Sequence, residues 1–234
     1  MSTPRIFIGG DSWACGEWPE GPSLHTIHKG IEEYFVQDNY QVINTARGGA
    51  SNQDSISLLF STAPVTPSDI IIWVQTDPIR NLSFTELPIR LEQAGSIRQL
   101  MQELAIEDYQ HLRQLANQYH CQVHCVGGLY SIQQELIADP VSCLVESWVR
   151  LLVPDYACNN WANYAILDSN WTIDHLELGR FKDQLVVSCC IDEMLELESN
   201  RQVFKHPIFF PNGNHPNREG HRILYNYIKE RLKL

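Results

Sequence analysis

Four short stretches carry residue types that could act together on a carbonyl carbon. Asp11-Ser12 offers a hydroxyl, Gly48-Gly49-Ala50-Ser51-Asn52 a glycine turn, Gln75-Thr76-Asp77 polar side chains, and His215 an imidazole. A serine hydroxyl becomes a strong nucleophile only when a neighbouring base takes its proton. The oxyanion formed by its attack needs N–H donors aimed at it. Brought to one point, these residues would be equipped for nucleophilic acyl transfer.

The elements that must bring them together follow from the apolar pattern. Arg5 to Gly9 (RIFIG) reads as a buried strand that ends in the turn Gly9-Gly10-Asp11-Ser12. A helix is expected over Leu24 to Phe35, a second strand over Gln41 to Asn44, and a helix over Asn52 to Phe60. Asp69 to Val74 (DIIIWV) has the continuous apolar run of a strand covered on both faces. Leu91 to Tyr119 is expected as one long helix, with Leu100, Leu104, Leu112, Leu115 and Ala116 at helical spacing, and Gln122 to Gly127 as a fourth strand. Strands alternating with helices imply parallel βαβ units. The expected fold class is α/β: a three-layer α/β/α, doubly wound, mostly parallel sheet of flavodoxin-like type. Such a sheet places ligands at the carboxyl ends of its strands.

The chain is expected to form a single domain over residues 1–234. Residues 130–185, with Trp148, Trp161 and Trp171, read as an insertion whose tryptophans form either a lid or a small core of its own, the core being favoured. Leu185 to Cys189 is a candidate strand and Glu193 to Asn200 a candidate helix. Pro216 suits the first position of a last helix, along which Ile223, Leu224, Tyr227, Ile228 and Leu232 form one apolar face. His221 on that helix is read as structural.

Three blocks resemble the SGNH (GDSL-type) hydrolases, in the family's order and spread over nearly the whole chain. Gly10-Asp11-Ser12 matches the first block. Asn44-Thr45-Ala46-Arg47-Gly48-Gly49-Ala50 is similar to the second, whose glycine matches Gly49. Asn212-Gly213-Asn214-His215-Pro216-Asn217 with Gly220-His221 resembles the fifth. The resemblance implies Ser12 as nucleophile, His215 as general base, and oxyanion donors from the backbone N–H groups of Ser12 and Gly49 and a side chain of the third block. Asp11, Trp13, Thr76 and Asp77 fall beside these positions as candidate oxyanion or substrate contacts. Trp13 and Trp18 are candidates to line an acyl or sugar pocket.

Two positions depart from the family pattern. The third-block asparagine falls on Asp77, or on Thr76 if the turn is one residue shorter. An ionised Asp77 only accepts hydrogen bonds. Thr76 or Gln75 could donate in its place, with Arg80 neutralising Asp77. The acid expected three residues before the histidine is Asn212, whose amide oxygen can orient an imidazole but cannot stabilise its charge. In a chymotrypsin-type triad that change costs about 10⁴ in kcat. The implied activity is hydrolysis of a small-molecule or carbohydrate ester, with a short acyl group such as acetyl. A catalytically impaired module that binds a carbohydrate or other small ligand is the alternative, and an acyltransferase a third reading.

Composition narrows the partners. A net charge of −11, from 28 acids against 17 bases, opposes binding to nucleic acid or to an anionic membrane. With 44% hydrophobic and 19% charged residues the chain is not of the disordered class. No run approaches the roughly 18 apolar residues of a membrane span. Met1 to Pro4 leads into the first strand without a signal-peptide pattern, so a cytoplasmic protein with reduced thiols is expected, despite seven cysteines. No cofactor is implied. The run His120-Cys121-Gln122-Val123-His124-Cys125 reads as strand packing rather than a metal site, because alternate residues face opposite sides.

Overall fold

Ile6, Phe7 and Ile8 are consecutive and all fully buried, a pattern that requires a strand covered on both faces. They belong to β1 (Ile6–Gly9) at the heart of a five-stranded parallel sheet. Its other strands are β2 (Val42–Asn44), β3 (Ile70–Gln75), β4 (Gln122–Gly127) and β5 (Val141–Val145), in the order β2-β1-β3-β4-β5. The computed structural model describes residues 4–18, 25–128, 131–154, 176–181, 184–189, 207–208 and 215–234. β1 pairs with β2 on one side and with β3 on the other, aligning Gly9 with Trp73. The order reverses between β1 and β3, so the chain is doubly wound with its switch point at the ends of these two strands.

Side chains alternate across this sheet into two cores. Phe7, Ile71, Trp73, Val123 and Cys125 face the first, which is covered by α3 (Asn52–Ser61), α4 (Glu86–Ala94) and α5 (Ile97–Tyr119). Ile6, Ile8, Ile72, Val74 and Val126 face the second, under α2 (Ile31–Gln37), α6 (Trp148–Leu152) and the last helix α7 (Arg218–Leu232). The His/Cys run follows the same alternation: Cys121 and Cys125 lie in the first core, while His124 Nδ1 sits 2.9 Å from Ser142 Oγ.

Several local expectations need correction. The long helix expected from Leu91 is two helices. Gly95 adopts φ +76 at the end of α4, and Ser96 restarts the chain by accepting a hydrogen bond from the Gln99 N–H. A glycine in the left-handed region followed by a serine cap is a stop and a start within two residues. The helix expected from Leu24 begins only at Ile31, because Glu17 and His28 form an antiparallel bridge and Gly30 turns at φ +62. Pro216 precedes α7 rather than opening it. Asn217 is the cap, its Oδ1 accepting from the N–H groups of Glu219 and Gly220.

The stretch read as an insertion from residue 130 includes part of the main domain. β5 pairs with β4 as the sheet's fifth strand. Trp148 and Val149 on α6 are buried in the second core, so Trp148 belongs to the domain core and not to a separate one. A five-residue strand whose central residues are only half-buried carries a weak periodic signal. The expected strand near Leu185 is observed as β7 (Gln184–Cys189), antiparallel to β6 (Leu176–Phe181) in a separate hairpin. Trp161, Trp171 and the helix expected over Glu193 to Asn200 lie outside the described residues. Among the described residues no helix is long and apolar enough to cross a membrane.

His221 is fully buried beneath Trp148, with the ring centroids 5.1 Å apart. Among the described residues neither ring nitrogen has a hydrogen-bond partner. Burial lowers its pKa to about 3, outweighing the nearby Gly16 backbone, which favours the charged form. Between about pH 3 and the ordinary histidine value the unfolded chain therefore binds one proton more than the folded chain. The stability contributed is complete above that ordinary value and is lost as pH falls towards 3. Chemical denaturation at pH 7 and pH 4.5 should show a smaller acid-induced loss in His221→Phe than in the wild type. An equal loss would contradict this account.

Candidate active site

The carboxyl ends of β1 and β3 define the place where the expected residues meet. Gly10 leaves β1 at φ +146, and a Cβ there would stand 2.8 Å from the Val74 carbonyl oxygen, so the turn requires glycine. Asp11 then caps the short helix α1 (Ser12–Cys15), its Oδ1 accepting from the Trp13 N–H at 2.9 Å. Ser12 is the first residue of α1 and Trp13 the second. Trp13 is buried, meeting Trp148 edge-on at 5.5 Å. It is therefore core, contrary to the expectation that it lines a pocket, because α1 turns its indole inward onto the second core.

His215 reaches Ser12 from 203 residues away, with Nε2 2.8 Å from Ser12 Oγ. The start of α7 holds it there. Trp148 Nε1 donates to the Gly220 carbonyl, Tyr34 Oη to the Arg218 carbonyl, and Arg218 pairs with Glu17 at 3.1 Å. Trp18 closes one side. Its Nε1 donates to the Ser12 carbonyl at 3.2 Å, its ring lies 6.3 Å from that of His215, and it packs beside Gly48. Asn212, the expected partner of His215, lies outside the described residues.

The glycine turn also borders Ser12, with Gly48 beside both Ser12 and Trp18. The Arg47 N–H donates to the Gly10 carbonyl at 3.2 Å and the Ala50 N–H to the Arg47 carbonyl at 3.1 Å, which ties this loop to the serine turn. Gly49 adopts φ +77, where a side chain is strained. Among the described residues, the backbone N–H groups of Ser12 and Gly49 meet no acceptor. Two such donors beside a hydroxyl–imidazole pair can hold an oxyanion.

The third loop is arranged differently from expectation. Thr76 Oγ1 donates to Asp11 Oδ2 at 2.6 Å, and its proton is thereby engaged away from any oxyanion. Arg80 pairs with Asp11 at 3.2 Å, not with Asp77. Asp77 caps the 3₁₀ turn Pro78–Asn81 by accepting from the Ile79 N–H at 3.1 Å. Gln75 points into the first core, where its Oε1 accepts from Tyr109 Oη at 2.8 Å. Asp11 is thus a structural hub with three donors, Trp13 N–H, Thr76 and Arg80, and is 1% exposed.

Behind this loop lies a group absent from the expected site. Asp108, in the middle of α5, is fully buried and accepts from Asn52 Nδ2 and Asn81 Nδ2, each at 2.8 Å. Burial raises its pKa to about 8, against the opposing pull of the two amide donors. The signal was present in the sequence: Leu100, Leu104, Asp108, Leu112 and Ala116 form an unbroken i, i+4 series, and one member is an acid. An acid on the buried stripe of a helix has to be satisfied by partners from elsewhere.

No protein-family model and no curated protein sequence matches the chain. Among solved structures, the chain aligns over its whole length with 57% of the YXIM protein of Bacillus subtilis, at 13% identity and a TM-score of 0.46. It thus spans little more than half of that protein. It also aligns over 99% of its length with 94% of a catalytic mutant of Axe2, an acetylxylan esterase from Geobacillus stearothermophilus, at 14% identity and a TM-score of 0.45. A GDSL-like lipase from Parabacteroides merdae aligns at 10% identity and a TM-score of 0.40, over 99% of this chain and 96% of that one. The doubly wound architecture follows from the strand order of the chain itself. In its three motif blocks the chain resembles the SGNH hydrolases.

Proposed function

We propose that the protein hydrolyses carboxylic esters of a small molecule or carbohydrate, with a short acyl group such as acetyl, through Ser12 and His215. The observation that carries this reading is the 2.8 Å contact between Ser12 Oγ and His215 Nε2 across 203 residues of chain. It lies at the switch point of the sheet, where such folds bind ligands.

In this reading Ser12 Oγ attacks the ester carbonyl carbon as His215 Nε2 takes its proton. The negative charge on the carbonyl oxygen is held by the N–H groups of Ser12 and Gly49. The tetrahedral species collapses, the alcohol leaves with the proton from His215, and an acyl group remains on Ser12. Water then attacks that acyl group while His215 takes a proton from it. The acid departs and the Ser12 hydroxyl is restored. Asn212 orients the imidazole through its amide oxygen. Trp18, beside Ser12 and His215, is placed to meet a bound substrate.

The competing reading is a binding module on the same scaffold. It is favoured by Thr76 and Asp77, whose side chains are engaged elsewhere and supply no third oxyanion donor. The two separate on treatment with a fluorophosphonate and 4-nitrophenyl acetate. Turnover together with an adduct mapped by mass spectrometry to Ser12 is expected. No turnover and no adduct would favour the binding module.

A further inference from the structure

We propose that Asp108 is a positioning residue for the Ser12 site, holding the glycine turn, the end of β3 and Asp11 in mutual register through Asn52, Asn81 and Thr76. The inference rests on the reading of Ser12 as the nucleophile.

The hydrogen bonds fix the orientation of each amide in this cluster. Asn52 Oδ1 accepts from the Thr76 N–H at 2.9 Å, so its Nδ2 is the atom that faces Asp108 Oδ2. The same Nδ2 lies 3.3 Å from the Thr76 carbonyl. Asn81 Oδ1 accepts from the Gln53 N–H at 3.2 Å, so its Nδ2 faces Asp108 Oδ1. Backbone N–H groups thus settle both amide orientations, and each oxygen of Asp108 receives one donor. Among the described residues no cation pairs with Asp108. A buried acid held only by amide donors contributes little to stability compared with an apolar residue of similar size. What it does contribute is geometry, because it joins α5 to the start of α3 and to the 3₁₀ turn, the segments that position Thr76 and Arg80 against Asp11.

One arm of the cluster runs to the nucleophile. Asn52 holds the Thr76 backbone, Thr76 Oγ1 donates to Asp11 Oδ2 at 2.6 Å, and Asp11 Oδ1 caps Trp13 at the start of α1. The other arm runs to the oxyanion side. Asn52 is the first residue of α3, with Ser51 as its cap, three positions after Gly49. The second contact, Asn81, closes the 3₁₀ turn that carries Arg80 to Asp11. Attack by Ser12 needs its hydroxyl and the two N–H donors aligned on the same carbonyl, and a misplacement of about 1 Å can cost on the order of 10²-fold in rate. Asp108 touches no reacting atom, so its effect passes entirely through this register.

The test uses Asp108→Asn, which keeps the shape and sets an NH₂ group against one of two NH₂ groups. Fluorophosphonate labelling of Ser12 should slow by roughly 10- to 100-fold, with kcat for 4-nitrophenyl acetate falling alike and KM staying within about threefold. The double exchange of Asp108→Asn with Asn81→Asp retains every hydrogen bond, with donor and acceptor reversed between positions 81 and 108. It should restore labelling to within about threefold of the wild type. Wild-type labelling of Ser12 is the control. If it is absent, the nucleophile reading fails, independently of Asp108. If it is present and a folded Asp108→Asn labels at the wild-type rate, the inference is overturned. A folded double exchange that labels as slowly as the single variant overturns it too. Should Asp108→Asn not fold, Thr76→Val decides: it cuts the link to Asp11 without touching Asp108, and labelling at the wild-type rate would overturn the inference.

Discussion

Ser12→Ala is expected to abolish fluorophosphonate labelling and to lower kcat for 4-nitrophenyl acetate by on the order of 10⁴–10⁶. His215→Gln should cost a similar factor, since the hydroxyl it faces at 2.8 Å then has no base to take its proton. In the proposed mechanism the two residues act as one unit, so the double variant should be no slower than the slower single one. Any residual rate reflects binding and the backbone donors of Ser12 and Gly49, which the substitutions leave in place. Ser12 lies at the edge of the second core rather than in it, and the melting temperature of Ser12→Ala should stay close to that of the wild type. Steady-state kinetics with matched thermal melts checks both points. A Ser12→Ala variant retaining a tenth of wild-type turnover would remove Ser12 from the proposed mechanism.

Trp148→Ala should give the largest loss of stability among single core substitutions near the site, about 3–5 kcal/mol. The indole is fully buried and packs edge-on against Trp13 at 5.5 Å and His221 at 5.1 Å. Its Nε1 also donates to the Gly220 carbonyl at 3.4 Å. Removing it leaves a cavity where α1, α6 and α7 meet, the three helices that carry or support Ser12 and His215. Urea denaturation should show a lower midpoint with an unchanged slope. Trp148→Phe keeps most of the apolar volume and should lose less than half as much. If Trp148→Ala loses under about 1 kcal/mol, Trp148 would not be the packing centre described here.

The contrast between the tryptophans shows where residue type alone is informative. Trp73 sits in a continuous apolar strand and is buried as that pattern requires. Trp13 and Trp18 both lie within a few residues of Ser12, and nothing local separates them. Only the direction in which α1 enters the sheet sends Trp13 into the core and leaves Trp18 beside the hydroxyl. Sequence proximity groups Trp148 with Trp161 and Trp171, whereas its packing partners come from α1 and α7.

The alternating order of the first four strands, the ends of those strands and the glycine turns are legible in the sequence alone. These depend on local facts: apolar runs of strand length, helical periodicity, and residues such as Gly10 and Gly49 that tolerate positive φ. Ser12 and His215 were legible for the same reason, as motif residues at the ends of elements. The tertiary structure decided how the polar side chains pair. Arg80 chose Asp11 over Asp77, Thr76 turned its hydroxyl to Asp11, and Asp108 gathered Asn52 and Asn81. Such choices join positions from 27 to 69 residues apart. They follow from which donors and acceptors the folded sheet leaves within about 3 Å of each other, away from water. Spacing along the chain does not encode that distance.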